Sequence, residues 1–284
     1  MADVENIAHA LEFIEAHLQE PIGVSEMAQA VAYSLYHFCR TFSRLTLHTP
    51  YDYLMRRRIA EAARALRQTD HKIIDVALTY QFNNPETFSR AFKRVLGALP
   101  QQWRKQERSA PRQLMPPLTL AHLRHWQRCA PWQPVVASRP AFDLIGAMVW
   151  LPDEASDNSA AWDWLQRALG TGASGPFYGL TCGASDGAAD VAYLAAVCAE
   201  ELPTTPHGLV NKPVPALTWV RVAHHGPACD FGLTLDYLYH TWLPQSSYRS
   251  AWPGYLESYG TALGRPDAEA SVWEVAIPLL SAET

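Results

Sequence analysis

The chain has 284 residues, 48% hydrophobic and 18% charged, with a net charge of −5 and five cysteines at 39, 129, 182, 198 and 229. That is enough chain for two ordinary domains, and no apolar run approaches the roughly 18 residues a membrane span needs. The cysteines form no Cys-x-x-Cys pair and no metal spacing with histidine; their odd number and the lack of a leader-like start point to a reducing cytoplasm, with no metal and no cofactor expected.

Residues 5–18 place Ile7, Leu11, Ile14 and Leu18 on one helical face. Pro21 and Gly23 stop this helix, and Ser25 reads as the start of the next. Val24 to Val31 then leads through Ala32-Tyr33-Ser34 into a helix bearing Tyr36, Phe38, Arg40 and Phe42. Thr49-Pro50 opens a longer helix to Leu66, carrying Arg56-Arg57-Arg58. The earlier plan then returns. Ile73-Ile74-Asp75-Val76-Ala77 runs through Tyr80-Gln81-Phe82 and the turn Asn83-Asn84-Pro85, with proline at a first helical position. Phe88-Ser89-Arg90-Ala91-Phe92-Lys93 follows, and the domain closes near Gly97, Pro100 and Trp103-Arg104. Two helix-turn-helix units in one chain offer two recognition helices to a DNA duplex. The expectation is an all-α DNA-binding domain at 1–107.

Charge supports this reading. Residues 1–39 carry six acids and no base, residues 40–108 fourteen bases and six acids, and the remainder nine bases and sixteen acids. The positive charge gathers where the recognition-helix signals lie, as phosphate binding requires.

A recognition helix keeps its apolar residues inward and presents short polar or basic side chains to the major groove. In the first unit Phe38 and Phe42 turn inward and leave Tyr36, Cys39 and Arg40 outside. Arg40 suits a guanine edge, Tyr36 a thymine methyl or a phosphate, and Ser34 serves as helix cap and phosphate contact. In the second, Phe88 and Phe92 turn inward and leave Pro85, Glu86, Ser89, Arg90 and Lys93 outside.

From Ser109 to Pro140 the prolines at 111, 116, 117, 131, 134 and 140 argue against long regular elements, so 108–134 reads as a proline-rich linker. An α+β domain is expected over 135–284. Strands are expected at Phe142 to Trp150, Phe177 to Cys182 and Val191 to Glu200, with a helix at Ala160 to Leu169. The plan recurs with strands at Ala216 to Ala223, Tyr255 to Tyr259 and Ser271 to Pro278, and a helix at Leu233 to Trp242. This is a strand-helix-strand-strand repeat used twice. On the last strand Val272, Glu274 and Ala276 share one face, opposite Trp273, Val275 and Ile277. Glu274 among apolar neighbours must either pair with a resident partner or wait for a cationic ligand.

The residues quoted from Ile73 to Arg104 resemble the AraC/XylS family, whose DNA-binding domain closes on the same motif; the likeness spans about residues 5–105. Ala32 and Gln81 stand at turn positions where that family often has glycine. The resemblance implies double-stranded DNA and RNA polymerase as partners, an activator bound as a monomer, and a small-molecule effector. The order of domains is similar to Rob-like members, whose second half is a GyrI-like effector-binding domain. That part of the resemblance rests on the repeat plan, His225-Gly226-Pro227 and Trp273 to Pro278. It implies an aromatic-walled pocket for a hydrophobic or cationic effector, with Glu274 facing the ligand and Trp150, Tyr178, Trp219, Tyr255 and Tyr259 suited to the wall. No nucleophile elbow, phosphate loop or metal cluster supports an enzyme, so no catalytic residue is assigned. An architectural DNA binder without ligand response, or an enzyme or sequestering binder on the GyrI-like domain, are the alternatives.

Overall fold

In a computed structural model of the chain, the residues described are 2–105, 112, 114–152, 157–170, 175–182, 191–202, 204–261 and 271–281. The chain divides into two compact units. One comprises residues 1–128 with 239–244, the other residues 129–238 with 245–284.

The first unit is helical. Helix α1 (Ala2–Ala16) buries Ile7, Leu11 and Ile14, the stripe its periodicity marks out. Helix α2 (Val24–Ala30) starts after Gly23 and not at Ser25; the Gly23 N–H donates to Glu26 Oε2 at 2.9 Å, so a side chain inside the helix takes up the free donor. Helix α3 (Leu35–Thr46) is capped by Ser34, which accepts from the His37 N–H at 3.3 Å. Helix α4 (Pro50–Gln68) is capped by Thr49, and α5 (Ile73–Thr79) leads to α6 (Pro85–Leu96). Asn84 caps α6 by accepting from the Glu86 and Thr87 N–H groups. Helix α7 (Pro100–Lys105) seats Trp103, whose indole N–H donates to the Ala63 carbonyl at 3.0 Å. Phe82, Phe88, Phe92 and Trp103 form an edge-to-face chain of rings in the core of the second helix pair.

The two tight turns are built alike. Ala32 has φ 55° and Gln81 φ 66°, a left-handed backbone at the positions marked as unusual in lacking glycine. Each side chain there costs about 1 kcal/mol against glycine. The turns hold because α2 packs on α3 and α5 on α6 around buried Met27, Phe38, Val76 and Phe88.

The proline-rich stretch corrects an expectation. It contains a ten-residue helix, α8 (Leu120–Cys129), because its prolines stand at 116, 117, 131 and 134 and leave 120–129 free of them.

The second unit is an antiparallel sheet with helices. Its strands are β1 (Val135–Arg139), β2 (Phe142–Leu151), β3 (Phe177–Cys182), β4 (Val191–Cys198), β5 (Val210–Val214), β6 (Leu217–His225), β7 (Tyr248–Ser250), β8 (Gly254–Ser258) and β9 (Val272–Ser281). Among the described residues their order is β1-β6-β9-β8-β3-β4-β2-β5, with β7 pairing β9. Helix α9 (Ser159–Leu169) follows β2; α10 (Phe231–Asp236) follows β6 and continues as a π-helical stretch, Tyr237–Trp242. The helix expected at 233–242 therefore starts two residues earlier and changes its hydrogen-bond register partway. Strands β1, β5 and β7 went unread: β1 is exposed along most of its length, β7 has three residues, and β5 contains Pro213.

Helices α9 and α10 pack on one sheet face. Trp162 of α9 meets Tyr193 and Tyr259, and Phe231 of α10 meets Tyr255 and Trp273. The alternation of β9 is as read: Trp273, Val275 and Ile277 are buried, while Val272 and Glu274 are exposed.

Candidate DNA interface and ligand groove

On α3, Phe38 and Phe42 are fully buried, which turns Tyr36 and Arg40 outward; Cys39 is half-buried at the margin. Tyr36 is 76% exposed, far more than a core role allows. Ser34 is exposed and occupied as the cap. Arg44, one turn beyond Arg40, is tied to Asp3 of α1 at 3.0 Å. A hydrogen bond from Tyr33, with Arg44 and His37 nearby, holds the Asp3 carboxyl below its ordinary range.

On α6, Phe88 and Phe92 are fully buried, and Pro85, Glu86, Arg90 and Lys93 are exposed with Ser89 half-buried beside them. Pro85, Glu86, Ser89 and Arg90 border one open depression. Glu86 and Arg90 approach only to 3.8 Å across open solvent, so the guanidinium is weakly committed.

The arginine triplet of α4 is a different matter. Arg57 is buried between Glu15 at 2.8 Å and Glu61 at 2.6 Å, and also donates to the Met115 carbonyl. Arg58 is buried and donates to the carbonyls of Leu18 and Glu20. Arg56 pairs with Asp52 at 2.6 Å. Arg104 donates to the Leu66 and His71 carbonyls. Much of the positive charge counted over 40–108 is thus internal scaffolding, and the share left facing outward is smaller than the count suggests.

In the second unit, Tyr178, Trp219 and Glu274 meet in one groove of about 380 Å³, together with Ser138, Arg139, Arg221, Leu256 and Ser258. It lies on the sheet face opposite α9 and α10. The other three expected wall residues lie elsewhere. Trp150 is 56% exposed on β2, outside this groove. Tyr255 and Tyr259 are buried on the helix-covered face, against Phe231 and Trp162 respectively. The resemblance puts them in one wall with Tyr178, but Tyr178 pairs with Ser258 across the sheet, and strand parity therefore sends Tyr255 and Tyr259 to the opposite face. Nor is Glu274 starved of solvent. Its side chain is 52% exposed, and Arg221 on the neighbouring strand approaches it at 3.5 Å. Of the two fates open to it, the resident partner is the one realised.

The sheet does bury a glutamate, at Glu257 of β8, which the sequence reading passed over. It shares its strand face with Tyr255 and Tyr259, accepts from the Tyr259 hydroxyl, and lies beside Tyr193. Gly179 of β3 faces this cluster because an added Cβ would collide with the Tyr193 hydroxyl. The missed signal was an acid flanked two residues either side by tyrosine on a strand. Nearby His224 is fully buried, with Nδ1 2.7 Å from the Thr234 hydroxyl; burial lowers it to about 4, so the ring is neutral.

A helix-turn-helix domain model matches residues 27–106, and a GyrI-like small molecule binding domain model matches residues 158–280. The regulatory protein SoxS of Salmonella typhimurium is 31% identical over 104 residues, which are 37% of this chain and 97% of SoxS. The chain belongs to the AraC/XylS family. Another AraC/XylS relative, the activator AarP of Providencia stuartii, is 36% identical over 98 residues, 34% of this chain and 73% of AarP. The transcriptional regulator Rob of Salmonella typhimurium is 35% identical over 114 residues, which span 40% of this chain and 39% of Rob. The α3 and α6 surfaces both fall inside the helix-turn-helix match, and most of the groove, Tyr178 to Ala276, inside the GyrI-like match.

Proposed function

We propose that this AraC/XylS chain is a sequence-specific DNA-binding transcriptional regulator with a small-molecule effector domain, acting in the cytoplasm as a monomer on DNA. The observation that carries it is the pairing of two capped helices, each with two buried phenylalanines behind an exposed polar face: Tyr36 and Arg40 on α3, Arg90 and Lys93 on α6. Arg40 reads a base edge; Ser34, Arg90 and Lys93 hold phosphates. Cys39, Pro85, Glu86 and Ser89 complete the two faces. The reader is residues 1–107 and the effector domain about 135–284. Activation through RNA polymerase is the output we assign, as AarP is named a transcriptional activator. Regulation rather than catalysis is favoured because these relatives are named regulators.

The effector seat is the groove of Tyr178, Trp219 and Glu274, whose volume lies in the range of small-molecule sites. We read the sheet as a duplicated strand-helix-strand-strand unit. In its support, β6-β9-β8 and β2-β4-β3 occupy mirrored places in the strand order, and α9 and α10 follow the first strand of each set.

Footprinting of the full chain on an asymmetric duplex is the test. Two protected patches about one helical turn apart are expected, with Arg40→Ala costing about 1–3 kcal/mol at one base pair. A single short patch, or an obligatory inverted repeat, overturns the reading.

A further inference from the structure

The lining of the groove carries an unequal set of charges. Arg139 and Arg221 face it against the single carboxylate of Glu274, and Arg221 is what Glu274 pairs with. Arg139 has no carboxylate within 4.0 Å among the described residues. Its guanidinium carbon lies 3.5 Å from the ring centre of Phe142 and 5.4 Å from that of Tyr178. Arg139 is thus seated over Phe142 at the margin of the groove, and a ligand cation against Tyr178 would meet a like charge already in place. Trp219, 96% buried in the groove wall, has an indole N–H with no acceptor among the described residues. Ser138 and Ser258 add two hydroxyls. The two guanidinium groups thus outnumber the one carboxylate beside the apolar side chains of Leu256 and Ala276.

Resting on the reading of this groove as the effector seat, we propose that it selects an aromatic carboxylate and disfavours a cationic effector, one of the two kinds that the family resemblance implies. The ligand ring lies against Tyr178 and Trp219, and its carboxylate takes the free fork of Arg139. Arginine suits that role because its planar donors match both carboxylate oxygens at once. Glu274 acts as the counter-charge that restrains Arg221 and keeps the net charge of the lining at one positive.

Calorimetry of the full chain with naphthoate, naphthamide and naphthylmethylammonium decides the matter, since the three differ in charge on one ring system. Naphthoate should bind tightest. Arg139→Gln should weaken naphthoate at least about tenfold and leave naphthamide within about twofold, as loss of a charge-assisted contact at an open groove should. Arg139→Lys should keep part of the preference, which separates lost charge from lost fold. Glu274→Gln should tighten naphthoate by releasing Arg221. Binding of naphthylmethylammonium equal to or tighter than naphthoate overturns the proposal while leaving the groove as the effector seat, as does an equal loss for both ligands in Arg139→Gln. Failure of all three to bind at millimolar concentration removes the groove as a ligand site, and this proposal with it.

Discussion

His224 has a consequence for acid stability. Its ring is fully buried, 2.7 Å from the Thr234 hydroxyl and 4.1 Å from the Trp273 ring centre. Burial lowers it from an ordinary 6.5 to about 4. Between those values the unfolded chain takes up a proton that the folded chain refuses. Stability is therefore full above about pH 6.5 and falls as the pH drops towards 4, by on the order of 3 kcal/mol. Urea denaturation across that range should show the decline, and His224→Gln should flatten it. An unchanged slope in the variant would assign the acid sensitivity to other groups. In the sequence this residue is one of two adjacent histidines, which a strand points to opposite faces. Its depth depends on Phe231, at the start of the helix that follows, and on Trp273, from a strand about fifty residues on. Glu257 was hidden for a related reason, since its tyrosine neighbours at 255 and 259 were visible but the cover over them was not.

At the scale of elements, both helix pairs were legible because each repeats a strong pattern: a cap, two phenylalanines four apart, and a breaker. Periodicity could not separate the two kinds of arginine on α4. A guanidinium on the solvent side and one clasped by two glutamates look alike until α1 is packed in place. Arg57→Met tests the distinction. It leaves Glu15 and Glu61 without their shared partner, and the domain should lose about 3 kcal/mol by thermal or urea unfolding. The salt dependence of DNA binding at temperatures where the variant stays folded should be unchanged, because Arg57 meets no phosphate. A smaller salt slope with unchanged stability would reverse the assignment. Proline content likewise misled at α8: counting prolines over thirty residues concealed the proline-free interval that makes a helix possible.

At the scale of the molecule, the order of the two domains was readable but the order of strands was not. Pairing β3 with β8 joins residues some eighty apart, and no local pattern encodes that choice. The same strand order decides which segments stand at the ends of the described sheet. Those are β1, set between Pro134 and Pro140, and β5, which carries Lys212 and Pro213. Proline has no N–H to give, and a lysine on an outer strand resists approach by a like-charged copy. Pro213→Val should restore a donor to β5 and raise concentration-dependent light scattering, while an unchanged profile would mean that β5 is guarded by something else. Seen this way, the residues that interrupt the strands also serve to prevent aggregation: a second molecule that tries to extend the sheet finds an end with too few hydrogen bonds to hold it.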